Sequence, residues 1–191
     1  MATRPGERKN QILQVLAEML QAPNGEKITT AALAARLDVS EAALYRHFAS
    51  KAQMYEGLIG FVEETVFGLI NKISAEQESG LKQTHAIAAM LLSFAEKNPG
   101  MTRVLIGDAL VNEDVRLQTR INQLHDRLEA TLKQSLRLAA TQGEIDAAAD
   151  TAAQANLMLA YITGRWHQYA KSGFKRLPTE LWAKQGPMLL G

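Results

Sequence analysis

Apolar residues recur at intervals of three and four along nearly the whole chain, and no segment alternates as a half-buried strand would. The clearest pattern runs from about residue 113 to 139, where the repeated residues are Leu117, Ile121, Leu124, Leu128, Leu132 and Leu136. Other long helical patterns cover about residues 51–73, 81–98 and 148–171. Since 47% of the 191 residues are hydrophobic, the chain can bury a sizeable core, and the pattern predicts an all-α fold.

The first 51 residues contain shorter helical segments than the rest of the chain. Three helices are predicted there. The first runs from about Glu7 to Gln21, and two short ones begin near Thr29 and near Ser40, because Thr and Ser are good N-cap residues. The last two are joined by a three-residue turn and match a helix-turn-helix. We therefore predict a three-helix helix-turn-helix domain at residues 1–51 and a larger helical domain at residues 52–191.

The stretch SEAALYRHF, residues 40–48, divides into a buried and an exposed face. The helix-turn-helix residues predicted to be buried are Leu33, Leu37, Val39, Leu44 and Phe48. The residues left on the outer face are Ser40, Ala43, Tyr45, Arg46 and His47. A face that starts with small residues and is rich in hydrogen-bond donors fits the major groove of DNA.

Each kind of DNA contact has candidate residues in this region. Phosphate contacts need hydroxyl groups, cations and helix N-termini, whereas Arg46 is the one strong guanine reader of the run and alanines can pack on thymine methyl groups. The candidate DNA-binding residues are Thr29, Thr30, Ser40, Ala42, Ala43, Tyr45, Arg46, His47 and Lys51. The alternative is a helical hairpin whose polar face is incidental.

The distribution of charge favours the N-terminal region as the part that faces an anion. Residues 1–51 contain seven Lys or Arg and five Asp or Glu, so their net charge is +2, whereas the remaining residues sum to −1. The whole chain carries only +1, so its overall composition does not by itself require a nucleic acid or a membrane as partner.

The chain lacks the residues that characterise several functional classes. The chain has no cysteine, which excludes disulfides and thiolate metal sites, and its four histidines are far apart in sequence. It has no Gly-rich phosphate loop, and no run approaches the ~18 apolar residues of a transmembrane helix. We therefore expect a cytoplasmic protein that is not an enzyme and uses no cofactor, metal or membrane.

The stretch ITTAALAARLDVSEAALYRHFASKAQMYEGL, residues 28–58, resembles the N-terminal domain of TetR-family regulators. The shared pattern runs through LA, a V-S turn and L-Y-x-H-F-x-x-K. The resemblance implies an all-helical dimer that binds double-stranded DNA, with phosphate contacts from Tyr45, His47 and Lys51. It also implies that residues 52–191 form a dimerisation and partner-binding domain, in which two C-terminal helices of each subunit build a four-helix interface.

The resemblance continues beyond the helix-turn-helix. The segments EKNPGMTRVL (residues 96–105) and RINQLHDRLEATLKQ (residues 120–134) are similar to a nucleoid occlusion branch of the TetR family. Members of that branch bind palindromes dispersed over the chromosome and, while bound, block assembly of the tubulin-like division GTPase FtsZ. The implied protein is therefore cytoplasmic and associated with the nucleoid.

The same resemblance implies an FtsZ-binding groove between the fourth and fifth helices. The matching positions are Phe61, Met90, Lys97 and Asn98. This chain departs from the branch pattern at Lys97 and Leu69, where the branch has arginines, and lysine lacks the bidentate guanidinium fork. The alternative is that Phe61 belongs to the core and that Asn98-Pro99-Gly100 is only a helix stop.

The two long C-terminal helical patterns are predicted to pair about a twofold axis into a four-helix bundle. The predicted dimer-interface residues are Leu117, Ile121, Leu124, Leu128, Leu157 and Tyr161. A dimer would place two reading helices one DNA turn, ~34–36 Å, apart. The alternative is that these helices only close the core of one chain.

Two other functions fit parts of the sequence. One is a transcriptional repressor of the TetR type that is released by a small hydrophobic ligand, with a pocket near Tyr161, Trp166 and Tyr169. The other is a helical protein-interaction module, which would show no salt-dependent affinity for DNA.

Overall fold

The computed structural model describes residues 5–22 and 28–190, and within them it contains nine α-helices, one 3₁₀ turn and no strand. The helices are α1 (Pro5–Met19), α2 (Thr30–Arg36), α3 (Glu41–Tyr45), α4 (Lys51–Glu76), α5 (Gly80–Lys97), α6 (Pro99–Leu105), α7 (Val115–Thr141), α8 (Thr151–Lys171) and α9 (Trp182–Leu190). The 3₁₀ turn spans Asp108–Leu110. The predicted all-α fold is confirmed.

The chain divides into two compact units, of which the first comprises Met1–Val62 and Pro99–Ile121 and the second Glu63–Asn98 and Asn122–Gly191. The first unit extends past residue 51 because the start of α4 packs into the same core as the shorter helices. A Cβ atom at Gly57 would lie 3.1 Å from the side chain of Leu13 and 3.4 Å from that of Phe48. In the same unit, the guanidinium of Arg120 donates to the Glu56 carbonyl at 3.0 Å.

Local sequence signals account for several helix ends. The side chains of Ser79 and Asp150 accept hydrogen bonds from backbone N–H groups in the first turns of α5 and α8, respectively. Helix α5 ends at Lys97 and α6 begins at Pro99, a residue that suits the first helical position because it has no N–H to leave unpaired. Helix α6 ends at Leu105, shortly before Gly107, which adopts a left-handed φ of 77°.

Two helix crossings are close enough to require glycine. In the first unit, a Cβ atom at Gly100 of α6 would overlap the backbone carbonyl of Ala17 in α1. In the second unit, a Cβ atom at Gly80 of α5 would overlap the backbone of Ser135 and Ala139 in α7. Both obstacles are backbone atoms, so neither overlap can be relieved by a change of side-chain rotamer.

We expect Gly100→Ala to destabilise the protein by about 1–3 kcal/mol, because α1 and α6 must separate to admit the methyl group. The matched control is Gly68→Ala in α4, where no atom lies within 4 Å and alanine should stabilise the helix by about 0.5–1 kcal/mol. Urea denaturation of both variants measures the two changes. The same sign for both would contradict the close approach of α1 and α6.

The core of the second unit is organised around the aromatic residues of α8. Trp166 is buried and its indole N–H donates to the Leu91 carbonyl at 3.2 Å. Tyr169 is also buried, and its hydroxyl donates to the Glu96 carbonyl at 2.9 Å. These bonds satisfy the polar ends of both side chains, so the rings can be buried at no hydrogen-bond cost.

The C-terminal tail and the helix lengths complete the fold. Among the helices within residues 5–22 and 28–190, none has a stretch that is long and apolar enough to cross a bilayer. The tail after Gly173 contains one further short helix, α9, which buries Trp182 and Leu190.

Candidate nucleic-acid interface

The helix-turn-helix is built by two capped helices and a left-handed turn. The hydroxyl oxygen of Thr29 accepts a hydrogen bond from the Ala32 N–H at 3.1 Å, and that of Ser40 accepts from the Ala43 N–H at 3.3 Å. Between the helices, Asp38 adopts a φ of 54°, a conformation that aspartate tolerates better than most residues. The chain thereby reverses within a few residues, as the three-residue turn predicted.

The inner face of this element is buried as the spacing predicts. Leu33, Leu37, Leu44 and Phe48 are buried, whereas Val39 is half-buried. Burial of these four side chains fixes the rotation of α3 about its axis and so decides which residues point outward.

All nine candidate DNA-binding residues lie in the first unit and keep exposed area. The exposed ones are Thr29, Ser40, Ala42, Tyr45 and Arg46, and the half-buried ones are Thr30, Ala43, His47 and Lys51. Their roles in DNA binding remain predictions, but none of the nine side chains is buried in the core.

The hydroxyl groups of this face differ in what they can offer a phosphate. Thr29 and Ser40 use an oxygen lone pair as helix caps, so each hydroxyl hydrogen can still be donated to a phosphate oxygen. Thr30 instead donates its hydrogen to the Glu41 carboxylate at 2.6 Å. Thr30 would have to break that bond in order to donate to a phosphate.

Lys51, the first residue of α4, is the cationic side chain among the candidate phosphate ligands. Ser50 caps α4 through the Gln53 N–H at 3.2 Å, and the Gln53 side chain accepts from the Ala49 N–H at 2.8 Å. The Lys51 ammonium lies 5.6 Å from the centre of the Tyr55 ring and forms an ion pair with Glu113. Sequence reasoning missed Glu113, which lies 62 residues away along the chain.

Tyr55 supports Lys51 as a neutral aromatic surface. Burial of the phenol, with a further contribution from the negative charge of Glu113, raises the pKa of Tyr55 well above its usual value. Its hydroxyl therefore stays protonated at neutral pH and adds no charge beside Lys51.

The four predicted partner-binding residues are divided between the two units. Phe61 belongs to the first unit and is 49% exposed, which is unusual for a phenylalanine. Met90, Lys97 and Asn98 belong to the second unit, where Lys97 is exposed and the other two are half-buried. The Asn98 side chain donates to the Phe94 carbonyl at 2.7 Å, so it also helps to end α5.

The structure corrects the predicted dimer interface at four positions. Leu117, Ile121, Leu124 and Leu128 are each 1% exposed in the single chain, so they have no side-chain surface to bury against a second copy. They pack inside their own chain, which was the alternative interpretation of the same spacing. Leu157 is 53% exposed, and Tyr161 is half-buried with its hydroxyl donating to Gln185 at 2.8 Å.

Leu157 belongs to a stripe of small and apolar residues that is exposed along α8. The stripe consists of Ala153, Leu157, Ala160 and Gly164, at intervals of four, three and four residues. Side chains at this spacing share one face of a helix, and small residues let a second helix approach closely.

Of the three aromatic residues proposed to line a ligand pocket, two are buried and Tyr161 is half-buried. Trp166 and Tyr169 are buried and bonded to the backbone of α5. An open groove of about 460 Å³ lies elsewhere in the second unit, lined by Ser74, Gln83, Ala130, Thr131, Gln134, Ser135 and Leu138. In the part of the chain that the structure describes, no three His, Cys, Asp or Glu side chains come together as a metal site would need.

Comparison with known proteins identifies the family of this chain. Residues 12–58 match the model of bacterial regulatory proteins of the tetR family, and residues 76–191 match an SlmA-like model described as the tetracyclin repressor-like C-terminal domain. The chain is 51% identical over 185 residues to the nucleoid occlusion factor SlmA of Idiomarina loihiensis, an alignment that covers 97% of this chain and 94% of the relative. The chain belongs to the SlmA group of the TetR family.

Two further SlmA relatives agree with this assignment, and two solved TetR structures share the fold. The SlmA of Alteromonas mediterranea is 50% identical, covering 96% of this chain and 94% of the relative, and that of a Marinomonas species is 47% identical, covering 99% and 96%. The TetR regulator PfmR of Thermus thermophilus superposes with a TM-score of 0.78 at 21% identity, covering 94% and 96% of the two chains. FadR of Bacillus subtilis, solved with stearoyl-CoA, gives 0.76 at 15% identity, covering 95% and 97%; both show a shared TetR fold.

Proposed function

We propose that this chain is a DNA-binding nucleoid occlusion factor of the cytoplasm. It would act as a homodimer on palindromic sites dispersed over the chromosome and, while bound there, inhibit assembly of FtsZ over the nucleoid. The observation that carries this proposal is identity of about half to SlmA factors along nearly the whole chain. Many TetR-family regulators share the helix-turn-helix, so the similarity of the C-terminal domain, residues 76–191, is the more discriminating part.

In the DNA step, the outer face of the helix-turn-helix enters the major groove. Tyr45, His47 and Lys51 bind phosphates, and the hydroxyl groups of Thr29 and Ser40 add donors at the helix starts. Ala42 and Ala43 pack on the base edges beside Arg46. These roles are supported by the exposure of the residues and by the buried inner face that orients them.

Arg46 and Lys51 are expected to affect DNA binding in different ways. Arg46→Ala should cost about 1–3 kcal/mol at one base pair of the site and leave random DNA nearly unaffected, because Arg46 is the guanine reader. Lys51→Met should weaken binding to all DNA alike and lower the salt slope by about one. Fluorescence anisotropy on cognate, single-base-substituted and random duplexes over a range of salt concentrations measures both effects. Equal losses for Arg46→Ala on cognate and random DNA would make Arg46 a phosphate contact.

Dimerisation is assigned to the exposed stripe of α8, residues 153–164, with Leu157 at its centre. A second copy packed on this stripe about a twofold axis would bury Leu157 and the three small residues. Tyr161 borders the stripe on the same helix. A symmetric dimer matches a palindromic site, since each protomer reads one half.

The FtsZ step is assigned to Phe61 and Lys97, together with Met90 and Asn98, which are half-buried residues of the same unit as Lys97. An exposed phenylalanine and an exposed lysine have no evident role in stability, which supports a role in recognition. We expect Phe61→Ala and Lys97→Ala to leave DNA affinity unchanged and to reduce inhibition of FtsZ severalfold. Val115→Ala and Lys82→Ala, also at positions with exposed area, are the matched controls. Loss of DNA binding in the test variants would make them structural residues.

A genome-wide chromatin map of this protein on its own chromosome tests the proposed function. Many sites inside and between genes, depleted near the replication terminus, are expected of a nucleoid occlusion factor. One or two sites confined to promoters would contradict the proposal and would instead support a conventional repressor.

A further inference from the structure

Lys51 already has an anionic partner in the absence of DNA. Its ammonium is paired with the carboxylate of Glu113, and the two side chains are only 19% and 13% exposed. We propose that Glu113 competes with a DNA phosphate for Lys51, so that it sets the affinity of the protein for DNA of any sequence. This inference rests on the proposed role of Lys51 as a phosphate ligand.

The segment that carries Glu113 holds the carboxylate in place. Asn112 adopts a left-handed φ of 64°, and the Glu113 N–H donates to the Leu110 carbonyl at 3.0 Å. The next carboxylate, Asp114, is bound by the backbone N–H of Arg116 at 3.0 Å and by its guanidinium at 2.7 Å. Asp114 is therefore committed to Arg116, and Glu113 is the carboxylate that serves Lys51.

Burial makes this pair an effective competitor. An exposed ion pair is screened by water and salt and contributes little, whereas a pair that is mostly shielded keeps more of its attraction. The ring of Tyr55 lies against the ammonium and shields it further from water. Because an ammonium at the first residue of a helix is opposed by the helix dipole, Glu113 also relieves an unfavourable placement.

Binding a phosphate must therefore remove or weaken an attraction that the free protein already has. Glu113→Gln abolishes the charge of the competitor and keeps the shape of the side chain. We expect it to tighten binding to cognate and random duplexes alike, by about three- to tenfold. The salt slope should stay at the wild-type value, because the number of phosphates contacted is unchanged.

A double-mutant cycle with Lys51→Met tests the competition. Methionine keeps the apolar stem of lysine beside Tyr55 but removes the charge. Affinities of the wild type, both single variants and the double variant are measured by anisotropy on cognate and random duplexes, with circular dichroism to check folding. The gain from Glu113→Gln should largely disappear in the Lys51→Met background. Glu56→Gln, the same charge change five residues after Lys51 on α4, is the matched control and should give less than about a twofold gain.

The possible results separate this inference from the proposed function. Wild-type protein that shows no salt-dependent DNA binding would overturn both. If the wild type binds and Lys51→Met weakens it, but Glu113→Gln gives no gain, only the competition is overturned. An equal gain from Glu113→Gln in both backgrounds would also overturn it, because the carboxylate would then act on DNA by simple repulsion.

Discussion

Replacing Leu157 with glutamate is expected to dissociate the dimer and to weaken binding to a palindromic site by at least about a hundredfold, or about 2.7 kcal/mol. Leu157 is 53% exposed in the single chain and lies at the centre of the α8 stripe. In the proposed interface, a glutamate there would bury a charge without a partner, and its twofold mate would bury another of the same sign. A monomer reads only one half-site and loses the binding free energy of the other.

Leu69→Glu in α4 is the matched control, since Leu69 is a 40% exposed apolar residue of the same unit but lies outside α8 and α9. It should leave both the oligomeric state and the DNA affinity unchanged. Analytical ultracentrifugation and anisotropy on the same preparations measure the two properties. A Leu157→Glu protein that remains dimeric at micromolar concentration would show that the interface lies elsewhere.

Trp166→Ala is expected to lower the free energy of unfolding by about 3–5 kcal/mol. The indole is 1% exposed, so its removal leaves a large cavity in the core of the second unit. The Leu91 carbonyl also loses the hydrogen bond that the indole N–H donates.

The adjacent residue provides the control for this prediction. His167 is exposed on the same helix, so His167→Ala should change the unfolding free energy by less than about 0.5 kcal/mol. Urea denaturation followed by circular dichroism measures both variants. A loss below about 1 kcal/mol for Trp166→Ala would mean that the ring lines a compliant or open cavity.

The helix-turn-helix could be predicted from sequence because its determinants are local. Leu44 and Phe48 are four residues apart, so once both point inward the outward direction of Tyr45 and Arg46 follows. Ser40 caps α3 as its residue type predicts. A helical period and a cap depend only on nearby residues, so both can be recognised without knowledge of the rest of the fold.

The intrachain packing of α7 could not be predicted because an apolar stripe does not reveal its partner. Leu117 and Leu128 have the spacing of an interhelical seam whether the facing helix belongs to the same chain or to a second copy. The exposed stripe on α8 has a weaker apolar signal, since alanine and glycine contribute little hydrophobicity. Only the burial of α7 within its own chain separates the two cases.

The ion pair of Lys51 could not be predicted from the sequence for a different reason. Its partner Glu113 is brought to it by the folding of α6 and the 3₁₀ turn, over a separation of 62 residues. The chain has many carboxylates that could pair with a lysine, and no sequence pattern shows that Glu113 is the one that pairs with Lys51. Long-range placement of charges requires the fold itself.

Assembly of FtsZ in the presence of the DNA-bound protein tests the proposed function most directly. FtsZ with GTP is mixed with saturating dimer and a duplex that carries a mapped chromosomal site, and the polymer is collected by sedimentation. A scrambled duplex of equal length and the Lys51→Met variant serve as controls for DNA occupancy. The expected result is a marked loss of sedimented FtsZ with the specific duplex and much less with either control. Unchanged FtsZ assembly at saturating DNA-bound dimer would contradict a role in nucleoid occlusion.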